Sequence, residues 1–373
     1  MISLINNSIK IKSIVCVLCA IFFQYCNSPS EPFGVKIKNV LNFETSGYVR
    51  DIALNDSTLA VAADQSGYII YKIIKSDDGS ISGLDTLIFN NETTDNGMDD
   101  SSYEVALSND GKIAFFMDPL DQINIAPAIS SLLVDPPNMD LYASWNLFRS
   151  IAVGSSNSNQ FVLHSLLKHV SAEGSSDYNP YSTSIVTQVC NNALEGIPGF
   201  ENEIVLECNE STIINDLSYY CLSIAYSEPY LTVTNDQLGV LVYEQNSADG
   251  LELFSQYDTP SSVESVFSYG NIIFSGLSND KGCYIALLDD NGDQISNLSI
   301  AEGYSINDID VFQDLVVLTC KSDGVLLYKF DQELNFIEIG NIETDYAYTA
   351  KFYDNNTVIV GTRDGIKIIN FGE

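Results

Sequence analysis

One stretch of the chain, residues 46–73, recurs in altered form until the C-terminus, and this repetition limits the folds that the chain can adopt. The stretch reads SGYVRDIALNDSTLAVAADQSGYIIYKI. Its apolar and β-branched runs are separated by the turn-forming sequences NDS and DQSG, so the stretch predicts three short strands. The middle run, LAVAA, is apolar on both faces, which is typical of a strand that is covered on both sides. Such a sheet is stable only beside neighbours of its own kind.

Six further copies of the stretch align on the position of Asp51. This position is polar in every copy, and we name these residues the anchor column: Asp51, Glu104, Ser150, Ser223, Ser265, Asp308 and Thr349. Successive anchors lie 53, 46, 73, 42, 43 and 41 residues apart. A period of about 42 residues is that of a four-stranded propeller blade.

The two ends of the chain predict how such a ring would close. The last copy stops after its third strand, whereas residues 35–43 form a strand-like segment, VKIKNVLNF, that precedes the first copy. Joining this segment to the last copy completes a fourth strand and removes an edge that could pair with other chains. The sequence therefore predicts an all-β protein: one seven-bladed propeller of four-stranded blades over residues 35–373, closed by an N-terminal strand.

The interval between the third and fourth anchors exceeds the blade period by about 30 residues, which predicts an insertion around residues 170–212. Cys190 and Cys208 flank its central part and could form a disulfide in an oxidising compartment. Loops on propellers often carry binding residues, so the insertion is either a binding loop or a loop of no consequence. After residue 26 the sequence has no CxxC pair and no Cys/His cluster, and we predict no metal site from these cysteines.

The first 26 residues differ from everything after them. Lys10 and Lys12 precede an apolar run over residues 14–23, and Cys26 follows. A basic segment before a short apolar run is typical of an export signal, and the run is short for a membrane span. Cys26 lies where a bacterial lipoprotein signal carries its lipid-modified cysteine, although Tyr25 stands where a small residue is usual.

We therefore expect a lipoprotein signal over residues 1–26, a tether over residues 27–34, and an exported protein anchored in the bacterial outer membrane or at the cell surface. An uncleaved anchor and a secretory signal without lipid are the alternatives. The formal charge of −34, from 16 basic and 50 acidic residues, argues against binding to nucleic acid or to an anionic bilayer. We therefore expect contact with the membrane through the lipid anchor only. We also expect a monomer.

The repeats combine a G-Y-x-R-D start, an apolar second strand that ends in Asp, and a glycine before the third strand. This pattern resembles the LVIVD repeat of bacterial surface and exported β-propellers. The first copy carries it through Gly47, Tyr48, Arg50, Asp51, Asp64 and Gly67, and the sixth through Gly303, Tyr304, Asp308, Asp323 and Gly324. The resemblance spans residues 35–371. It implies the fold and says little about function, because the family is defined by its repeat.

The anchor column is the main candidate site, because a residue on the innermost strand of each blade faces the axial channel or the next blade. Three carboxylates and four hydroxyls could hold a hard cation such as calcium. They could instead bond backbone groups that would otherwise be unpaired, and we favour this second interpretation, with no cofactor and no catalytic residue. We expect a non-catalytic scaffold for a protein or glycan partner. The alternative is a propeller hydrolase or lyase that uses carboxylates at the channel mouth.

Overall fold

The structure, a computed structural model, describes residues 35–90, 101–108, 111, 113–117, 123–127, 133–134, 146–157, 160–169, 182–192, 198, 203–204, 206–218, 221–235, 239–247 and 250–372. These parts of the chain are strands and turns, and none of them is a helix with the length and apolar character to cross a membrane. The predicted signal and tether, with Cys26, lie outside the described residues.

The strands of the N-terminal half form three sheets that follow one another along the chain. The first strand of the described residues is β1 (Lys36–Glu44). Sheet 1 contains β2 (Asp51–Leu54), β3 (Thr58–Ala62), β4 (Tyr68–Lys75) and β5 (Ile81–Asn90). Sheet 2 contains β6 (Glu104–Leu107), β7 (Ile113–Met117) and β8 (Ile123–Pro127). After the short strand β9 (Leu133–Val134), sheet 3 contains β10 (Asn146–Asn157), β11 (Gln160–His169), β12 (Ser182–Asn192) and β14 (Leu206–Ser218). Between the last two, β13 (Glu203–Ile204) pairs in parallel with β9.

The C-terminal half continues with four more sheets. Sheet 4 contains β15 (Ile224–Ser227), β16 (Tyr230–Asn235), β17 (Gly239–Ser247) and β18 (Gly250–Tyr257). Sheet 5 contains β19 (Val263–Tyr269), β20 (Ile272–Leu277), β21 (Cys283–Leu288) and β22 (Gln294–Ile300). Sheet 6 contains β23 (Asp308–Phe312), β24 (Leu315–Thr319), β25 (Val325–Phe330) and β26 (Phe336–Ile342). Sheet 7 contains β27 (Ala347–Asp354), β28 (Thr357–Thr362) and β29 (Gly365–Gly372), and β1 is its fourth strand.

The sheets are arranged in a circle around their first strands. Each first strand contacts the next one along the chain, in the order β2, β6, β10, β15, β19, β23 and β27, and β27 contacts β2. Within each sheet the strands pair antiparallel with their neighbours. In its described residues the chain is thus an all-β propeller with six four-stranded blades.

The core lies between adjacent sheets, and β3 shows how it is built. Leu59 and Val61 pack with Ile359 of sheet 7, whereas Ala60 and Ala62 pack with Phe116 of sheet 2. These four residues of β3 are fully buried. The prediction that this apolar run is covered on both faces is therefore confirmed.

Sheet 3 differs from the other sheets in the length of its strands. The range 170–212, which the sequence predicts to be an insertion, contains all of β12 and the start of β14. The strands of sheet 3 are 10 to 13 residues long, whereas those of sheet 6 have 5 to 7 residues. The β-branched residues of β12, STSIVTQVCNN, favour an extended strand, so part of the extra length is regular sheet. Cys190 is disulfide-bonded, and Cys208 is its partner position in the pairing of β12 with β14.

The N-terminal strand lies on the outer edge of sheet 7. β1 pairs antiparallel with β29, from Lys36 opposite Gly372 to Glu44 opposite Gly365. Leu41 and Phe43 of β1 pack against the apolar cluster that contains Ile366 and Ile368. β1 therefore pairs the backbone edge of β29 and covers apolar side chains at the same time.

Removing β1 should destabilise the protein. A chain that begins at residue 46 leaves the backbone groups of β29 unpaired, and we expect it to melt at a lower temperature and to aggregate. A chain that begins at residue 35 keeps β1 and is the matched control, with thermal unfolding and size-exclusion chromatography as the measurements. An unchanged melting curve for the chain that begins at residue 46 would contradict a stabilising role of β1.

Candidate functional site at the axial channel

A channel of about 550 Å³ lies where the first strands meet. All of the predicted anchors line it: Asp51, Glu104, Ser150, Ser223, Ser265, Asp308 and Thr349. Asp51, Glu104 and Asp308 are the first residues of their strands. The structure thus brings the whole anchor column to one place.

Four of the anchor side chains bind backbone N–H groups of the neighbouring sheet. The donor is each time the residue directly after the next anchor. The bonds run from Val105 N–H to Asp51 at 3.0 Å, from Ile224 N–H to Ser150 at 3.0 Å, from Ala350 N–H to Asp308 at 3.1 Å, and from Ile151 N–H to Glu104. Each of these bonds ties one sheet to the next.

Side chains of the column also bind one another. The Ser150 hydroxyl donates to Glu104 Oε1 at 2.7 Å. Thr349 Oγ1 lies 2.8 Å from Asp308 Oδ2 and 3.2 Å from Asp51 Oδ1, so it connects sheets 6, 7 and 1. The Ser265 hydroxyl is buried, and no protein group in the described residues bonds to it.

Among the other charged residues that line the channel, Asp310 and Lys351 lie beside the anchors and were not predicted from the sequence. Lys351 Nζ lies 3.0 Å from Asp308 Oδ2 and 3.1 Å from Asp308 Oδ1. Asp310 Oδ2 accepts a hydrogen bond from Phe352 N–H at 2.8 Å. Asp310 and Lys351 each stand two residues after an anchor, and side chains two apart in a strand share a face. That spacing was the signal that could have identified them.

Burial and mutual repulsion shift the ionisation of the channel acids. Burial raises the pKa of Asp51 to about 6, with Lys351 opposing the shift and Asp308 adding to it. Burial likewise raises the pKa of Asp310 to about 6, and burial together with the charge of Asp51 holds the pKa of Glu104 well above its ordinary value. Burial alone would lower the pKa of Lys351, but the neighbouring carboxylates, Asp308 first, outweigh it and raise that pKa.

The described residues contain no group of three His, Cys, Asp or Glu side chains arranged to hold a metal ion. Backbone N–H groups, hydroxyls and one ammonium already occupy oxygens of Asp51, Glu104 and Asp308. The hypothesis of a calcium ion held by the anchor column therefore gains no support from this geometry.

Aromatic rings and guanidinium groups gather at one mouth of the channel, where the first strands begin. We name them the tyrosine–arginine cluster: Tyr48, Tyr103, Tyr346, Tyr348, Arg50 and Arg363. The Arg50 guanidinium lies 4.5 Å from the ring centroid of Tyr348, 5.6 Å from that of Tyr48 and 5.7 Å from that of Tyr103. The Arg363 guanidinium lies 5.0 Å from the ring centroid of Tyr346 and 5.6 Å from that of Tyr48.

The turn between β3 and β4 holds Arg50 in this cluster. Asp64 begins the turn with a φ of 51°, a left-handed conformation that aspartate tolerates better than most residues. Its carboxylate binds Arg50 twice, with Asp64 Oδ2 2.6 Å from Nη2 and 2.8 Å from Nε. The motif residues Arg50 and Asp64 therefore form one ion pair at the mouth.

No family model matches the chain, and no curated protein is found as a relative. Solved structures are similar in fold. A chain of the crystal structure of a mitotic checkpoint complex matches with 12% identity and a TM-score of 0.59, over 90% of this chain and 94% of that chain.

Two further structures match over similar lengths. The structure of U3-55K has 14% identity and a TM-score of 0.56, over 89% of this chain and 98% of that chain. The crystal structure of RRP9 WD40 repeats has 14% identity and a TM-score of 0.57, over 91% of this chain and 100% of that chain. At this level of identity the likeness shows the fold alone, which is a β-propeller similar to that of WD40 repeats.

Proposed function

We propose that this protein is a non-catalytic binding scaffold, exported and lipid-anchored, which presents one mouth of its propeller to a protein partner in the cell envelope. The proposal rests on the difference between the residues inside the channel and those at its mouth. The carboxylates inside bind backbone groups of the next sheet, whereas Tyr48 and Arg363 at the mouth are exposed to solvent. Membership of a similar chain in a mitotic checkpoint complex is consistent with a role in protein assemblies.

The same proposal includes seven blades and closure by β1. The circular contacts of seven first strands support it, with sheet 2 as the seventh blade. The pairing of β1 with β29 supports closure, because it joins the two ends of the described chain in one sheet. The LVIVD-repeat family remains a hypothesis, and the structural use of Arg50, Asp51 and Asp64 agrees with it.

Export and lipid attachment at Cys26 rest on the sequence of the first 26 residues. The disulfide of Cys190 supports export, because disulfides persist mainly in oxidising compartments. One acyl-bearing cysteine at the end of a signal, followed by a polar tether, would hold the propeller at the membrane surface without a membrane span.

Capture from the cell tests scaffold and anchor together. After chemical cross-linking, the wild-type protein should be recovered from the membrane fraction with a protein partner. The Cys26→Ser protein should be absent from the membrane fraction but should still bind the partner, because the propeller is unchanged. If Cys26→Ser stays in the membrane, the lipid anchor is wrong; if neither form retains a partner above the heat-unfolded control, the scaffold function is wrong.

The structural use of the channel acids predicts a large effect of Asp308→Ala. The substitution leaves the Lys351 ammonium and the Ala350 N–H without their partner, and half-buried unpaired groups of this kind cost about 2–4 kcal/mol. We expect the free energy of unfolding to fall by this amount in urea titrations, with or without added calcium. The exposed turn residue Asp290 gives the control, since Asp290→Ala should change stability by less than about 0.5 kcal/mol. Equal stability of the two variants would argue against the structural role.

Thr349 also predicts that the channel retains a proton. Its hydroxyl has a single hydrogen but lies within hydrogen-bond distance of both Asp51 and Asp308. One of these contacts is satisfied only if a carboxyl group donates to the Thr349 oxygen. Asp308 is paired with Lys351, and the pKa of Asp51 is raised to about 6. Asp51 is therefore the group that holds the proton at pH values below about 6.

This assignment predicts a pH dependence of stability. A folded-state pKa of about 6, against an ordinary 3.8, means that folding favours protonated Asp51. The stabilisation from protonated Asp51 is complete at pH values below the pKa that Asp51 has in the unfolded chain. It is lost as the pH rises through the folded-state pKa of about 6. Asp51→Asn cannot ionise, so its stability relative to wild type should increase by about 1–3 kcal/mol between pH 4 and pH 7.5. Urea unfolding of both proteins across this range measures the difference. Parallel pH profiles would refute the assignment.

A second candidate function is the hydrolase or lyase. The raised pKa values of Asp51 and Asp310 in a channel that opens to solvent favour it, because a carboxyl near its pKa at neutral pH can act as an acid or a base. This function requires that the wild-type protein cleaves a substrate in a panel of chromogenic glycosides and uronate polysaccharides, and that Asp51→Asn abolishes the cleavage at unchanged fold.

A further inference from the structure

We propose that the tyrosine–arginine cluster is a docking site for an acidic segment of a protein partner, with the Arg363 guanidinium as the contact for a carboxylate. The inference rests on the proposed binding function and gives it a surface and a partner chemistry. It is carried by the placement of the arginines, by the pairing of Arg50, and by the exposed position of Arg363.

The arginines are concentrated at one mouth of the channel. The chain has three arginines among 16 basic residues and has 50 acidic residues. Arg50 and Arg149 line the channel, and Arg363 lies over the ring of Tyr48, which is 43% exposed. Tyrosine and arginine are the residues that most often dominate binding energy at protein interfaces. A strongly acidic protein thus collects this residue pair on a single face.

Arg50 positions the cluster and is not its free charge. Its ion pair with Asp64 compensates the guanidinium charge. Its cation–π contacts bring together Tyr348 of sheet 7 with Tyr48 and Tyr103, which stand just before the first strands of sheets 1 and 2. The ring pairs support this order, since the centroids of Tyr346 and Tyr348 are 4.5 Å apart and those of Tyr48 and Tyr348 are 6.1 Å apart. The rings therefore form a fixed platform before any partner arrives, which lowers the entropy lost on binding.

Arg363 lies on this platform with its charge uncompensated by a direct ion pair. It stands in the turn between β28 and β29, is exposed, and bonds the Tyr348 side chain. In the described residues no carboxylate forms an ion pair with it. The nearby Asp345 is instead 3.7 Å from the ammonium of Lys367. A guanidinium presents a planar set of N–H donors that fits a carboxylate with two parallel hydrogen bonds.

An acidic peptide fits this surface better than a neutral sugar does. Sugars bind to open aromatic faces, whereas the Arg363 guanidinium lies over the rings of Tyr48 and Tyr346. The long-range repulsion between an acidic peptide and the rest of this chain is screened beyond about 8 Å at physiological ionic strength. At short range, the contact between a peptide carboxylate and Arg363 therefore determines whether the peptide binds.

A peptide selection tests the inference directly. A displayed library of random peptides is selected on the immobilised wild-type protein, and the best peptide is then synthesised and titrated by fluorescence anisotropy. We expect enrichment of Asp and Glu, and we expect Arg363→Gln to bind at least about tenfold more weakly. Tyr48→Ala, which removes part of the platform, should also weaken binding.

Lys281→Gln is the matched control. Lys281 is exposed in the turn between β20 and β21, the corresponding turn of sheet 5, so the substitution removes the same charge from the same kind of position. It should bind like wild type, and the melting temperatures of all variants should show that the fold is kept.

The other outcomes separate this inference from the scaffold function. Selected peptides that bind Arg363→Gln as well as wild type would overturn the docking site and leave the scaffold function in place. Binding to acidic glycans on an array, lost in Arg363→Gln, with no peptide selected, would replace the protein partner by a glycan. Failure to retain any peptide or glycan would overturn both the docking site and the scaffold function.

Discussion

The structure depends on how the inner edges of its sheets are satisfied. Each first strand pairs with only one strand of its own sheet, so its other edge faces the axis. An unpaired N–H group at such an edge costs free energy when it is shielded from water. Asp51, Ser150 and Asp308 provide the acceptors, each for the sheet that follows. Polar anchors at the axis are therefore what allows short strands to meet there.

This solution has an electrostatic cost. With carboxylates on three first strands, the charge of Asp308 raises the pKa of Asp51, and the charges of Asp51 and Asp308 raise the pKa of Glu104. The chain offsets the repulsion in two ways. Lys351 projects into the channel and pairs with Asp308, and below about pH 6 a proton on Asp51 takes the place of a second cation. Serine and threonine at other anchors supply acceptors without adding charge, as Ser150 does for Ile224 N–H.

Much of the fold could be predicted from the sequence because a propeller is specified locally and repeatedly. The period and the polar position of Asp51 were sufficient to collect all residues of the anchor column around one channel. The length of β12 could not be predicted in the same way, because it breaks the period. The tyrosine–arginine cluster was also missed. Tyr48 and Tyr103 stand just before the first strands of sheets 1 and 2, whereas Tyr348 lies in β27 of sheet 7. Only the folded ring brings Arg363, in the turn between β28 and β29, over the ring of Tyr48.

The channel and its mouth are mechanically continuous, because neighbouring residues build them. Arg50 and Asp51 are adjacent in the chain, and Arg50 N–H bonds the carbonyl of Ala62 in β3. One side chain of this pair joins the ion pair and the rings at the mouth, while the other ties sheet 1 to sheet 2. Tyr348 and Thr349 repeat the arrangement on sheet 7. A surface built on the ends of tied strands keeps its shape without a partner, in contrast to a surface built on long loops, and a partner that fits it loses less of its binding energy to ordering.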